Sequence, residues 1–248
     1  MNFASLKALS IPEGVVTKIE REGMVLFEVS LGVPIGDMPV GSSVFMNVGG
    51  VRTEFVVVHQ GSPGSRYRNA DGTWLLMKDV YERHYWGSTE INDYENSDIH
   101  ARLNDHYPTL FDSGVQAAIK QIKIPYWKGD GETGALTYGT SGLSTKLFLL
   151  SELEAGFDST LSTDTKAGNC LSYFSGMTDD LRIAYFNGSA NKWWLRDIVV
   201  KSKKQVSFVW ESGKSGNAYA QSIYNYGVRP ALVLPNTLTV DSEFNVIA

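Results

Sequence analysis

KWWLRDIVVKSKKQVSFVWESGKSGNAYAQSIYNYGVRPALVL, residues 192–234, carries the clearest strand pattern in the chain, and we interpret the other segments relative to it. Just before it, Asn187-Gly188 separates two β-prone runs. Asn-Gly between such runs is the strongest short signal for a hairpin, because both turn residues must accept a positive φ. Trp193 and Trp194 are therefore expected to lie on a strand and to face opposite sides of a sheet.

Two further strands are predicted within the same stretch. Large apolar side chains alternate with others in residues 206–210, which is typical of a strand with one face more deeply buried. Residues 228–234 are nearly all apolar and predict a last strand. Pro230 cannot donate to a ladder, so it belongs at a strand start, a bulge or an edge, and Arg229 is placed at the mouth of that strand.

Four motifs in the chain resemble a domain family of undefined function from gut bacteria and their phages. The motifs are NSDIHARLN (96–104), KLFLLSELEA (146–155), WWLRD (193–197) and YGVRPALVLP (226–235). That family resembles, more distantly, the formylglycine-generating enzymes, whose fold is a variant of the C-type lectin fold. The resemblance covers roughly residues 40–235. It implies an α+β, C-type lectin-like domain with mostly antiparallel short strands and two helices.

The specific motifs contain four residues to which we assign structural roles: Trp193, Trp194, Arg196 and Arg229. Both arginines lie within segments that otherwise have the pattern of buried strands. A buried arginine is usually paired with a carboxylate or with backbone carbonyls. Capture of an anionic ligand by either arginine is the alternative.

The first 33 residues are expected to form a separate N-terminal attachment hairpin, followed by a ligand-binding domain over residues 34–248. Two β-prone runs, residues 15–19 and 24–29, flank a turn at Glu22-Gly23, and a hairpin of this size is too small to be stable alone. The segment is similar to the short leading segment of some phage tail and other virion proteins, which implies contact with virion or surface proteins. The alternative is an edge hairpin of the main domain. Residues 32–41 have the composition of a linker or an irregular lead-in.

The middle of the chain predicts one hairpin, one strand and two helices. Residues 44–48 and 51–58 form the hairpin, and residues 74–77 form the strand. Asn96 or Ser97 caps the first helix, which is expected to end at Pro108. Asp112 or Ser113 caps the second, whose apolar face is Val115, Ala118, Ile119 and Ile122.

Composition excludes several classes of function. The net charge of −5 and the pI near 5.4 disfavour a nucleic-acid partner, because phosphate contacts need clustered Lys and Arg. No apolar run approaches the roughly 18 residues of a membrane span, so membrane insertion is not expected, and the N-terminus lacks the pattern of a Sec signal peptide. A place on a virion or bacterial surface would then require another route, such as release of assembled virions.

Residues that could carry catalysis are few. An acidic run, Glu90, Asp93, Glu95 and Asp98, offers carboxylates of the kind that hydrolyse glycosides in pairs. Four acids before and within the first turn of a helix are better explained by solvation and the helix dipole. We therefore predict no catalytic residue, and a cell-wall or glycan hydrolase that uses Asp93, Glu95 or Asp98 is the alternative.

No metal or cofactor is expected either. One cysteine, Cys170, excludes both an internal disulfide and the cysteine pair on which the formylglycine-generating enzymes depend. His100 and His106 are six residues apart, whereas a helical metal pair needs i and i+4. The Glu-Pro-Asn and Gln-Pro-Asp tripeptides through which C-type lectins bind sugar with calcium do not occur.

A recognition surface is the remaining hypothesis. The segment ESGKSGNAYAQSIYNYG (211–227) is rich in Tyr, Ser, Gly and Asn, a composition that suits binding loops because aromatic side chains give large contact area at low entropic cost. The candidate ligand-binding residues are Trp210, Tyr219, Gln221, Tyr224, Asn225 and Tyr226. They are expected to lie on one exposed face, which is built by residues 197–226. The alternative is that the tyrosines pack on the core as ordinary strand aromatics.

These features predict a non-catalytic recognition protein on a phage particle or bacterial surface that binds a host or partner protein or glycan. Some proteins of C-type lectin fold are diversified in this region by a retroelement that mutates adenines, and the Asn and Tyr content is compatible with that history. A structural virion or tail protein is a further alternative. In that case the segment would pack against neighbouring subunits.

Overall fold

Short β-strands, mostly paired antiparallel, make up most of the regular structure. The computed structural model describes residues 18–21, 24–28, 32–157, 167–176, 178–221 and 223–248. The strands before the helices are β1 (Lys18–Arg21), β2 (Met24–Glu28), β3 (Val33–Pro34), β4 (Ser43–Val48), β5 (Val51–Gln60), β6 (Thr73–Met77) and β7 (Glu82–His84). The strands after the helices as far as the Asn-Gly turn are β8 (Ile122–Ile124), β9 (Tyr126–Lys128), β10 (Ala135–Thr137), β11 (Leu143–Thr145) and β12 (Ala184–Phe186). The remaining strands are β13 (Ser189–Asn191), β14 (Trp193–Ile198), β15 (Gln205–Val209), β16 (Ser215–Tyr219), β17 (Tyr226–Val228), β18 (Ala231–Leu234), β19 (Thr239–Val240) and β20 (Val246–Ile247).

Two helical segments lie between β7 and β8. The first begins with α1 (Asp98–Ala101), capped by the Ser97 hydroxyl, which accepts from the His100 N–H. It continues through a π-helical turn (Arg102–His106) into a 3-10 turn (Tyr107–Leu110). The α- and π-helical part ends at His106, just before Pro108, as predicted, and the chain then continues in a 3-10 turn because proline is tolerated in the first turn of such a segment.

The second helix, α2 (Ser113–Ala118), is shorter than predicted. Ile122 was expected on its apolar face but lies in β8, which pairs with β11. Isolated 3-10 turns complete the helical structure of the described residues; they are Ile35–Asp37, Gly139–Ser141, Ser172–Phe174 and Asp179–Arg182.

The two larger sheets carry the core. One has the order β18-β6-β5-β4, and the other has the order β16-β15-β14-β17-β7, in which β14 and β17 pair in parallel. A three-stranded sheet, β20-β19-β3, and the pairs β1-β2, β8-β11, β9-β10 and β12-β13 are the other sheets among the described residues. The class is therefore α+β with mostly antiparallel strands.

The predicted hairpin at Asn187-Gly188 is confirmed. The two turn residues have φ of 52° and 79°, and β12 pairs antiparallel with β13 on either side of them. Trp193 and Trp194 then begin β14, and both side chains are fully buried.

The strand predicted over residues 228–234 is instead two strands in two sheets. β17 belongs to the five-stranded sheet and β18 to the four-stranded one, and Arg229-Pro230 connects them. Pro230 has no N–H to donate, so the ladder must break where it stands. This break turns the chain from one sheet to the other and leaves Arg229 buried at the junction.

The N-terminal hairpin is present as β1 paired with β2. Its described part consists of β1 and β2, and residues 15–17, 22–23 and 29 of the predicted runs and turn lie outside the described residues. Residues 32–41 are not a linker: β3 pairs with β19, and Ile35 is fully buried. Within the described ranges, no helix has the length and hydropathy that a membrane-spanning helix requires.

Candidate functional site

Five aromatic side chains, which we call the aromatic cluster, meet on one face of the five-stranded sheet: Trp194, Phe208, Trp210, Tyr224 and Tyr226. Tyr226 lies between Trp194 and Phe208, with ring centroids 4.5 and 4.7 Å away. Trp210 packs edge-on to Phe208 at 4.9 Å. Trp194 and Phe208 are buried beneath, while 40% of Trp210 is exposed, so the cluster reaches from the core to the surface.

A lysine completes this surface. Lys192 Nζ lies 4.1 Å from the ring centroid of Trp210 and 5.2 Å from that of Tyr226, and 4.0 Å from Glu211 Oε1. An ammonium over an indole face is attracted by the ring quadrupole. Burial raises the pKa of Tyr226, and the neighbouring Tyr224 and Glu211 add to the effect, so its hydroxyl stays a neutral donor at physiological pH.

Gly216 allows Trp210 to lie against the sheet. A Cβ at this position would stand 2.9 Å from Phe208 Cζ and still closer to Trp210 Nε1. The indole therefore occupies the space that a side chain on β16 would take. Its position is fixed by its contacts with Phe208, with the backbone at Gly216 and with the Lys192 ammonium, which lies over the ring.

The variant Gly216→Ala is expected to displace Trp210. The added methyl group overpacks the contact with Phe208, which should lower the free energy of unfolding by about 1 kcal/mol and expose the indole to water. Urea denaturation and a red shift of tryptophan emission, absent in a Trp210→Phe background, would detect this. Gly176→Ala is the matched control, since a Cβ there meets nothing within 4 Å. Equal behaviour of the two alanine variants would contradict this role for Gly216.

Tyr219 does not join the other candidates. Phe208 pairs with Gly216 and Gln205 pairs with Tyr219 in the β15-β16 ladder. Side chains alternate along a strand, so Tyr219 faces away from the aromatic cluster, on the other side of the sheet. Its ring is 44% exposed there.

Of the remaining candidates, Gln221, Tyr224 and Asn225 lie on the connection between β16 and β17, and Tyr226 begins β17. Gln221 and Asn225 contribute backbone contacts: Gln221 N–H donates to the Tyr219 carbonyl at 2.9 Å, and the Asn225 carbonyl accepts from Arg83 Nε at 3.0 Å. Tyr224 and Tyr226 are half-buried and pack against the core. The expected face over residues 197–226 is also smaller than predicted, because the strand residues at its start are buried, including Asp197, Ile198, Val206, Phe208 and Val209.

Arg196 is the centre of a buried charge network. Its Nη2 donates to Glu154 Oε1 at 2.5 Å, its Nη1 donates to Glu154 Oε2, and further bonds reach the carbonyls of Leu149 (2.8 Å) and Pro125 (3.1 Å). The hydroxyl of Tyr67 donates to Glu154 Oε1 at 2.6 Å. Burial alone would lower the pKa of Arg196, but the Glu154 carboxylate more than offsets it and the net shift is upward.

Glu154 is held by its own turn. The Ser151 N–H donates to Glu154 Oε2 and the Glu154 N–H donates to Ser151 Oγ, both at 3.0 Å, which is the reciprocal geometry of a capping box. No helix follows within the described residues; the segment continues as a turn to Gly156. The motif therefore positions a buried carboxylate for Arg196.

Arg229 differs from Arg196. Its Nε donates to the Met77 carbonyl at 2.8 Å and its guanidinium lies 4.9 Å from the ring centroid of Trp193. Its Nη1 is buried and has no hydrogen-bond partner among the described residues. Both arginines are buried, but only Arg196 has a carboxylate partner within the described part of the chain.

Each carboxylate of the acidic run has a hydrogen-bond or ion-pair partner among the described residues. Glu90 forms an ion pair with Lys204, Glu95 Oε2 accepts from the Tyr126 hydroxyl at 2.7 Å, and Asp98 Oδ2 accepts from the Ser88 N–H. Asp93 Oδ2 accepts from Asn96 Nδ2 at 2.8 Å, while its Oδ1 is buried without a partner among described residues. Among the same residues, no three His, Cys, Asp or Glu side chains are grouped closely enough to hold a metal ion.

Sequence reasoning missed Lys192, Phe208 and Gly216 as parts of the surface. Alternation in 206–210 identifies Phe208 as buried, but only the pairing register reveals that Gly216 lies beside it. Lys192 precedes WWLRD and carries no signal of its own.

Comparison with known families identifies one domain. Residues 71–236 match the family described as a domain of unknown function (DUF6273), and the chain belongs to that family. Comparison with curated proteins and with solved structures gave no match.

Proposed function

We propose that this DUF6273 protein is a non-catalytic recognition protein of C-type lectin-like fold that binds a glycan or protein ligand on a phage particle or bacterial surface. The observation that carries the proposal is the exposed Trp210, held between Gly216, Phe208 and Lys192. An aromatic ring that is both exposed and fixed loses little entropy on binding. Interface hot spots are typically of this kind.

The chemistry of the surface suits a sugar-like ligand. The indole offers a flat apolar face, the Tyr224 and Tyr226 hydroxyls offer hydrogen bonds, and Lys192 and Glu211 offer opposite charges at the edge. A glycan ring has an apolar face and a hydroxylated rim, which match these groups. The N-terminal hairpin, β1-β2, would attach the protein to its particle.

Trp210→Ala combined with Tyr224→Ala is expected to weaken ligand binding by about 30-fold, the effect of removing roughly 2 kcal/mol of hot-spot interaction. The measurement is binding of the purified chain to capsular polysaccharides, lipopolysaccharides and peptidoglycan and to whole bacterial cells. Thermal melting checks that each variant is folded.

Tyr219→Ala is the matched control, because Tyr219 is a similarly exposed aromatic on the opposite side of the same sheet. Binding that survives Tyr219→Ala and is lost in the double variant supports the proposal. Equal loss in both, or no loss in either, contradicts it. A wild-type chain that binds none of these ligands favours a structural virion role.

A further inference from the structure

A cleft of about 470 Å³ opens on Arg229. Its walls come from β5, from residues 78–79 after β6, from residues 173 and 180–185 and from the β17-β18 junction; they include Tyr173, Asp180, Leu181, Ile183, Tyr185 and Asp79. Pockets for small ligands have volumes of this order. The cleft therefore combines room for a small molecule with a buried cation.

The cation in this cleft is unusual because it is not neutralised. Arg229 is 2% exposed, and no carboxylate within the described ranges forms an ion pair with it. The other cation that lines the cleft, Lys78, is paired with Glu54 at 2.9 Å. Burial lowers the pKa of Arg229 to about 10, with the more distant Tyr173 and Asp79 opposing the shift. A buried charge and a buried N–H without a partner both lower the stability of the fold, so their presence here calls for a functional explanation.

We propose that this cleft binds a small ligand that carries a carboxylate on a hydroxylated body, as a sugar acid does. A carboxylate can accept from the free Nη1 and from its neighbour in the bidentate geometry that guanidinium groups favour. Asp79 and Asp180 on the wall can accept from ligand hydroxyls, and Tyr173 and Tyr185 provide apolar surface. Asp79 is already positioned, since its Oδ1 accepts from the Tyr185 N–H at 3.0 Å.

This site is separate from the aromatic cluster. Arg229 packs on Trp193, whereas the cluster contains Trp194, and adjacent residues of a strand face opposite sides of its sheet. Ligand binding in the cleft and ligand binding at the aromatic cluster can therefore be tested independently.

Calorimetric titration of the full chain tests the proposal with four probes. Glucuronate is expected to bind about tenfold to a hundredfold more tightly than glucose, because this is the gain in affinity that one charge-assisted hydrogen-bonded contact typically gives. N-acetylalanine tests whether a carboxylate without hydroxyls is sufficient for binding. Inorganic phosphate tests whether another oxyanion is sufficient. Hydrogen exchange on the wild-type chain should show that glucuronate protects amides in residues 178–185.

The variant Arg229→Met should abolish the preference for glucuronate and melt at or above the wild-type temperature, because it removes an uncompensated buried charge. Arg83→Met is the matched control, since Arg83 also donates Nε to a backbone carbonyl but is exposed. The proposal is overturned if glucuronate and glucose bind alike, if no probe binds, or if protection appears elsewhere. A large fall in melting temperature for Arg229→Met also counts against it, because it would assign the arginine to the structure alone.

Discussion

Arg196→Met is expected to lower the free energy of unfolding by about 3–5 kcal/mol, the cost of breaking a buried ion pair by removing one partner. The change leaves the Glu154 carboxylate fully buried, and among the described residues Tyr67 and Ser151 are then the side-chain and backbone donors that help to stabilise its charge. It also removes the donors that reach the carbonyls of Leu149 and Pro125. Since the total stability of a domain is about 5–15 kcal/mol, urea denaturation at pH 7 should find this variant close to unfolding.

A double-mutant cycle separates the pair from its surroundings. Replacing both partners, Arg196→Met with Glu154→Leu, should recover much of the loss, because no isolated charge then remains in the core. Lys204→Met at the exposed pair with Glu90 is the control and should give no measurable change. A loss below about 1 kcal/mol for Arg196→Met would mean that water or a rearranged partner compensates Glu154.

The local features of the fold could be predicted from the sequence, since they depend on neighbouring residues. Asn187-Gly188 accepts positive φ whatever surrounds it, and Ser97 caps its helix through a bond three residues along. Ser151 and Glu154 have the spacing of a capping box, and its two bonds are present. Such a pattern normally precedes a helix, but it says nothing about Arg196, 42 residues away, which binds the carboxylate.

The candidate site could be predicted only in part, because it depends on register. Trp210 and Tyr226 are conspicuous as aromatics among small polar residues, but the sequence does not show that Phe208 pairs with Gly216. Without that pairing, Tyr219 cannot be assigned to the other side of the sheet. Arg229 was interpreted as paired like Arg196, and the difference between them comes from which carboxylates the fold brings near.

Asp197→Asn is expected to make the protein less sensitive to rising pH. The Asp197 side chain is almost fully buried, and burial raises its pKa to about 7, with the Glu152 carboxylate adding to the shift and the Arg196 guanidinium opposing it. In the unfolded chain the pKa is about 3.9. Between these values the folded state binds one proton more than the unfolded state, so stability is highest at low pH and is lost as pH rises towards 7.

Urea denaturation of both proteins at pH 5 and pH 8 measures the effect. Over this interval the wild type should lose about 2–3 kcal/mol relative to Asp197→Asn, because roughly two pH units below the folded pKa contribute about 1.4 kcal/mol each. Asparagine keeps an oxygen that can accept from the Glu152 N–H, so the variant retains that bond. Asp130→Asn is the control: backbone N–H groups of Thr133 and Glu132 lower the pKa of Asp130, so its titration lies below pH 5. If the wild type and Asp197→Asn differ by the same amount at both pH values, Asp197 is ionised throughout, and the backbone N–H donors and Arg196 together outweigh the cost of its burial.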